Sequence, residues 1–519
     1  MHTHGTSMPA DSQHRTRISR RNFLQYVTAG LGVAAVGGAI GLSGCAPSRL
    51  GEAAAVSSGA TSEPITPDVE LALRAAPNRV QILPGPETQV WQYRGEVLKG
   101  RAGAVQPLPG SYLGPILRLE QGEWVRIHLT NELSEPTIVH WHGLHVPESA
   151  DGHPRLAIEP GETYTYEFQV LSRPGTYWYH PHPHGRTGPQ VLYGLAGLLI
   201  VTGDEERGLG LPEEDYDIPL VIQDRAFDDG NQLRYLEGGM GTQMMGFLGD
   251  RVLVNGQPDF TLPVATRPYR LRLLNGSNSR IYRLGWQDGS PLTVIATDGG
   301  LLERAVERPY VTLAPGERVE LWVDFGTHGV GTEIALEDRS PNHSSGAPIA
   351  RFQVDRQEST DARLPDRLSA IAWEDPNEAV NRRRPRTFEL DMARMQWLIN
   401  GRTFEMEGVA RDEIVRLGDL EVWEFVNESP RMAMPHPMHI HNVQFQVLER
   451  QILPRFADQY RTVAEGYVDE GWKDTVLVMP GERVKVLLRF ENFEGLYVYH
   501  CHNLEHEDMG MMRNFRVKA

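Results

Sequence analysis

The chain reads as an all-β protein of three consecutive Greek-key β-sandwich domains. Three observations predict this. First, a turn followed by an alternating strand occurs three times: Pro160-Gly161-Glu162 runs into residues 163–168, Pro315-Gly316-Glu317 into 318–323, and Pro480-Gly481-Glu482 into 483–488. Second, each copy follows an earlier strand-like run, and these runs end in Asn131, Asn275 and Asn427. Third, the strand-like runs are short and separated by Gly/Pro turns, which favours sandwiches. At 519 residues the chain is too long for one core. The copies place domain 1 at residues 76–204, domain 2 at 213–355 and domain 3 at 386–519. A charged, Pro-containing connector, 356–385, joins the last two, with Trp373 as a candidate anchor.

Before the first domain, residues 1–45 read as an export signal. Ser19-Arg20-Arg21-Asn22-Phe23-Leu24 is a twin-arginine pattern, followed by a Gly/Ala-rich apolar segment. That segment is long enough to span a membrane, but its glycines make it a poor permanent helix, so that a signal is favoured over an uncleaved anchor. Leu42-Ser43-Gly44-Cys45 resembles a lipobox, which would make Cys45 a lipid-bearing first residue. Residues 46–75, rich in Ala, Ser, Gly and Pro, read as a tether. The expected location is the periplasm or cell surface, with membrane contact only through that lipid.

Domain 1 carries His140-Trp141-His142-Gly143 and His180-Pro181-His182. Domain 3 carries His436-Pro437-Met438-His439-Ile440-His441 and His500-Cys501-His502, with His506 and Met511 beyond. Domain 2 has no histidine at the corresponding run, residues 280–286, and reads as a spacer. Valines and tyrosines before His500 predict a strand, on which His500 and His502 face one way and Cys501 the other. That alternation suits two metal groups joined through one cysteine. A thiolate, imidazoles and a weak thioether make the blue-copper set, and paired imidazoles suit further copper. One His-x-His pair alone is more often a satisfied or surface histidine; four pairs plus Cys-x4-His-x4-Met are not explained that way.

On these motifs the chain resembles the multicopper oxidases, over about residues 76 to 519. The resemblance implies cupredoxin domains and four copper ions. His436, Cys501, His506 and axial Met511 would hold type 1 copper, and His140 and His439 type 2. His142, His180, His182, His441, His500 and His502 would hold the type 3 pair. Asp151, nine residues after His142, matches an acidic position near the cluster, although Asp151-Gly152 is also a good turn. Glu507 resembles an acidic position of the cuprous-oxidase branch. His145, His153 and His184 have no implied ligand role. The implied activity is one-electron oxidation of small reductants coupled to reduction of O2 to water.

Composition narrows the partners. Formal net charge is −17; without residues 1–45 the 51 basic and 68 acidic residues become 47 and 67, or −20. That argues against a nucleic-acid partner. Two cysteines exclude a disulfide scaffold and clustered-cysteine zinc. The expected partners are O2 and a small-molecule or metal-ion reductant, and the expected state is a monomer. No methionine lies between Gly249 and Asp391, where a cuprous oxidase carries a Met-rich insertion. The expected donor is therefore phenolic or aromatic, reaching an uncovered type 1 histidine, with Glu507 at hand for its hydroxyl. The alternatives are a cuprous-ion oxidase, with Met240, Met244 and Met245 as a short lid, and a copper-free scaffold.

Overall fold

A computed structural model describes residues 65–340, 346–429 and 433–519. The twin-arginine run, Cys45 and residues 46–64 of the expected tether lie outside them. No helix among the described residues is long and apolar enough to cross a membrane.

Three pairs of packed sheets follow one another. The first pairs a four-stranded sheet (Thr88–Lys99, Val69–Val80, Trp124–Asn131, Thr163–Gln169) with a five-stranded one ending in Gly175–Pro181 and Val139–His142. The second pairs seven strands with five, and the third pairs two five-stranded sheets. In each sandwich the strand that opens the repeat pairs antiparallel with the strand after Pro-Gly-Glu, as Trp124–Asn131 does with Thr163–Gln169. These are cupredoxin-like sandwiches.

The repeat has a physical basis visible in all three copies. Asn131, Asn275 and Asn427 each donate through Nδ2 to two main-chain carbonyls. Their own carbonyls accept from the glycine N–H of the Pro-Gly-Glu turn. The glutamates close the turn by accepting the N–H three residues back, from Glu159 at 2.9 Å, Ala314 at 2.7 Å and Met479 at 2.6 Å. Each clasp satisfies backbone groups that a sheet corner would otherwise strand.

Burial separates the copies. Trp124–Asn131 alternates between buried and half-exposed, so one face is wet. Pro268–Asn275 and Leu420–Asn427 are buried throughout. On the middle strand the outward residues are Arg270 and Arg272, neutralised by Glu206, Glu320 and Asp217, and Arg272 also donates to Thr176 of the first sandwich.

One boundary moves, and one anchor changes. The tether ends before residue 75, because Val69, Leu71, Leu73 and Ala75 line the core face of Val69–Val80. Their alternation is short and its alanines resemble tether composition. In the connector, Trp373 is half exposed, with its Nε1 bonded to Glu303. Leu368 and Ser369 do the anchoring: Leu368 is buried, and Ser369 Oγ donates to Leu301 and Leu302 carbonyls.

Candidate metal centres

Residues 500–502 are reached by the strand Gly495–Cys501, which lies between His436–Ile440 and Met512–Lys518. Pairing brings His439 opposite His500 and Met438 opposite Cys501. The predicted alternation is present: Cys501 faces one group of ligands, His500 and His502 another.

On the cysteine side, Cys501 Sγ lies 3.5 Å from His436 Nδ1 and 3.6 Å from His506 Nδ1, and the two Nδ1 atoms are 3.2 Å apart. Met511 is fully buried in the same core, and its N–H and carbonyl bond His506 and Cys501. Burial pushes the Cys501 thiol up, so a bound cation would have to supply the charge that makes it a thiolate. Burial also lowers His436 to about 3, which keeps the imidazole neutral, as metal ligation requires.

On the other side eight imidazoles converge from two sandwiches, with His140 and His439 299 residues apart in the chain. His140 Nε2 and His439 Nε2 are 3.3 Å apart; His500 Nε2 is 3.3 Å from His182 Nε2 and 3.2 Å from His441 Nε2. The rings of His142, His180 and His502 lie within 5.7 Å of one another, centroid to centroid. Among the described residues, His142 Nδ1, His180 Nε2 and both nitrogens of His502 are buried without a hydrogen-bond partner. Such orphans are costly unless a cation takes them. The donor set of each group, one thiolate with two imidazoles and imidazoles alone, suits copper.

The far side of the rings is held by main chain and carboxylates, which fixes tautomers. His140 Nδ1 donates to Asp151 O at 2.7 Å, and His439 Nδ1 to Asp474 O at 2.8 Å. His441 Nδ1 donates to Asp151 Oδ2 at 2.8 Å. Asp151 is fully buried, and burial, then Glu148, pushes its carboxyl well above the usual range. The turn itself depends on the next residue, since a Cβ on Gly152 would collide with the Val139 carbonyl.

Three expectations are corrected. Glu507 is buried and points away from His506: Oε2 is 3.1 Å from His500 Nδ1, while Oε1 accepts from Thr187 Oγ1 at 2.7 Å. It lies on the short helix Leu504–Asp508, whose turn of about 100° per residue aims it away from the preceding histidine. The edge of His506 is not uncovered. Its Nε2 donates to the Met244 carbonyl at 3.0 Å, the Trp397 ring packs tilted against it with centroids 4.3 Å apart, and the helix Met240–Met245 lies over it. Finally, domain 2 is not a spacer. A Cβ on Gly316 would stand 3.1 Å from His142 and His502, and Arg318 bonds the Asp474 carboxylate that holds His142.

Asp474, Thr475, Arg318 and Trp397 were not singled out from sequence. Lys473-Asp474-Thr475 opening a buried strand is a detectable polar triplet. Arg318 has no such mark, since the third copy carries Arg483 at the same place, half-exposed on Glu428. His145, His153 and His184 stay outside every ligand group; His153 Nε2 bonds Asn514.

Cupredoxin sandwiches with a one-cysteine site wired through its neighbours to a histidine cluster define a copper-dependent oxidoreductase that uses O2. Residues 87–206 and 379–519 match multicopper oxidase family models. Multicopper oxidase mco of Staphylococcus haemolyticus is 35% identical over 411 residues, 79% of this chain and 83% of that protein. A laccase of Bacillus stratosphericus is 31% identical, covering 82% and 90%. The crystal structure of McoA multicopper oxidase from Aquifex aeolicus superposes with TM-score 0.76 at 36% identity, covering 88% of this chain and 97% of that one. The chain belongs to the multicopper oxidase family.

Proposed function

We propose that the chain oxidises small reductants one electron at a time at the cysteine site and reduces O2 to water at the histidine cluster. The observation that carries this is the single strand placing Cys501 in one group and His500 and His502 in the other. His436, Cys501, His506 and Met511 are the type 1 ligands. His140 and His439 hold type 2. His142, His180 and His502 hold one type 3 position, and His182, His441 and His500 the other, for four copper ions in all. Bound copper supplies the one-electron exchange with donor and the electrons for O2.

The protein's own residues do the rest. Cys501 offers a covalent path of its side chain and two peptide units to the flanking imidazoles. Asp151 orients His441 and His140; Glu507 and Thr187 orient His500. Complete burial of the eight rings excludes bulk water from the cluster.

The donor class in this reading is phenolic, and relatives named laccase are among the matches. The cover over His506 means that such a donor acts through Trp397 or after the helix Met240–Met245 yields. One observation favours a second reading, a cuprous-ion oxidase: Met240 on that helix and Met395 beside Trp397 are both exposed. Soft thioethers suit Cu(I). Oxygen uptake with a phenol and with Cu(I) decides. Phenol turnover without added copper, unchanged when Met240, Met244 and Met245 become Leu, supports the first reading. Turnover needing copper and lost in that variant moves the protein to the second. Export by the twin-arginine route, anchoring through Cys45 and a monomeric state belong to the same proposal. Cys45→Ala is expected to shift the protein from membrane to soluble fraction, and a parent already soluble would end the anchor reading.

A further inference from the structure

Arg318 is fully buried and lies in the second domain, which among the described residues supplies no histidine to the cluster. A guanidinium has five N–H donors, and here all five are used. Nε donates to Thr176 O at 3.0 Å. Nη1 donates to Gly316 O at 2.9 Å and Asp474 Oδ1 at 2.7 Å, and Nη2 to Asp298 O at 3.0 Å and Asp474 Oδ2 at 2.6 Å. These acceptors belong to all three sandwiches, so the three domains meet at this side chain.

Asp474 passes the constraint on. Its Oδ1 lies 3.0 Å from His142 Nε2, its main-chain oxygen accepts from His439 Nδ1, and Thr475 Oγ1 is 3.1 Å from His142 Nε2. His142 is thereby left with Nδ1, the orphaned nitrogen, facing the cluster.

We propose that Arg318 is a positioning residue for the histidine cluster: its fork on Asp474 fixes His142 with the proton on Nε2 and Nδ1 free for metal, and sets His439 through the same aspartate. This rests on the copper reading above. Both carboxylate oxygens are engaged by the fork, so Asp474 cannot rotate to release His142. Surrounding glycines leave room for the pair. A Cβ on Gly143 would collide with Asp474 Oδ2 and lie 2.8 Å from Arg318 Nη2, and Gly316 lets the second Pro-Gly-Glu turn sit against the rings. The first copy, Gly161, has nothing within 4 Å, and the third, Gly481, lies against Phe456, so of the three turns it is the middle one that approaches the histidine rings.

Two variants test this. Arg318→Lys keeps the charge but cannot make the fork. Arg318→Met with Asp474→Asn removes both charges together, leaving no unpaired buried ion. An amide at 474 is free to turn its NH2 toward His142 Nε2, which places the ring proton on Nδ1. The readouts are copper affinity, the blue type 1 band per chain, the type 2 EPR signal, the near-ultraviolet type 3 band and the thermal midpoint of the copper-free protein. The expected result is a type 1 band equal to the parent's, with copper held outside type 1 weakened about 10-fold or more. Type 2 and type 3 signals are lost in proportion. Parent-like cluster signals and affinity in both variants overturn the proposal. So does parallel loss of type 1 and cluster signals with a lowered midpoint, which marks an ordinary domain clamp. A parent that takes up no copper would fail the oxidase reading itself, a separate outcome visible before any variant is made.

Discussion

At Cys501 the side chain faces His436 and His506 while the flanking imidazoles face the other way. Serine keeps size and polarity but is a poor copper ligand. Cys501→Ser is therefore expected to abolish the blue band and donor oxidation, with folding retained; a variant that stays blue would sink the type 1 assignment. Asp151 differs, because its carboxyl holds His441 while its main chain holds His140. In Asp151→Asn the amide oxygen still accepts from His441, but the side chain can no longer give up a proton. Reoxidation by O2 is expected to slow roughly 100-fold with donor-side reduction little changed. Stopped-flow traces with both half-reactions equally slowed would assign Asp151 to the turn alone. The proposed ligands were legible because each sits in a short motif at a spacing that a strand converts into a common face. Arg318 and Asp474 were not, because their meaning lies in a contact 156 residues apart in sequence.

The helix Met240–Met245 shows the same limit at the scale of elements. Six residues with two glycine neighbours give no periodicity to read, yet Glu505 seats the segment firmly. Its Oε2 accepts from Phe247 N at 2.8 Å, and its Oε1 accepts from Asn278 at 2.8 Å and Tyr235 at 3.0 Å. Ser279 bonds the Phe247 carbonyl. In Glu505→Gln one oxygen becomes an NH2 facing donors, an unmade bond worth about 1–3 kcal/mol. The expected result is a several-fold lower KM for bulky phenols, with the blue band and small-donor kcat unchanged. Unaltered KM for both donor sizes would make the helix a fixed roof. By contrast the asparagine and Pro-Gly-Glu clasps were readable, since their bonds close within a few residues of the motif or across adjacent strands. The strand Val69–Val80 was partly missed because alanine and proline dilute its alternation.

For the whole molecule, burial of so many imidazoles couples stability to pH. His436 and His439 fall to about 3, and His153 and His182 to about 4, all mainly through burial. In the copper-free protein these rings are neutral in both states above their unfolded value near 6.5. As pH falls from there toward 4, the unfolded chain takes up protons that the folded one refuses, so stability is lost by up to about 1.4 kcal/mol per histidine per unit. Five buried carboxyls, Asp151, Glu317, Glu482, Glu505 and Asp508, are raised and act in the opposite sense. Twelve lowered histidines outnumber them. The urea midpoint of copper-free protein is thus expected to drop between pH 7.5 and pH 5, and to drop less once copper is bound. A flat or rising midpoint toward pH 5 would contradict this.

The 299-residue separation of His140 and His439 also bears on synthesis. Domains generally fold as units, the earliest-made first. The first sandwich can close as soon as it emerges, but it then holds only half of an oxygen-reducing centre. The remaining imidazoles and the cysteine arrive only with the third sandwich. A nascent or truncated chain that scavenges stray copper therefore has neither the thiolate that feeds electrons in nor the full set of rings that would use them. On the proposed copper assignment, redox activity therefore waits for the third sandwich to be made and folded.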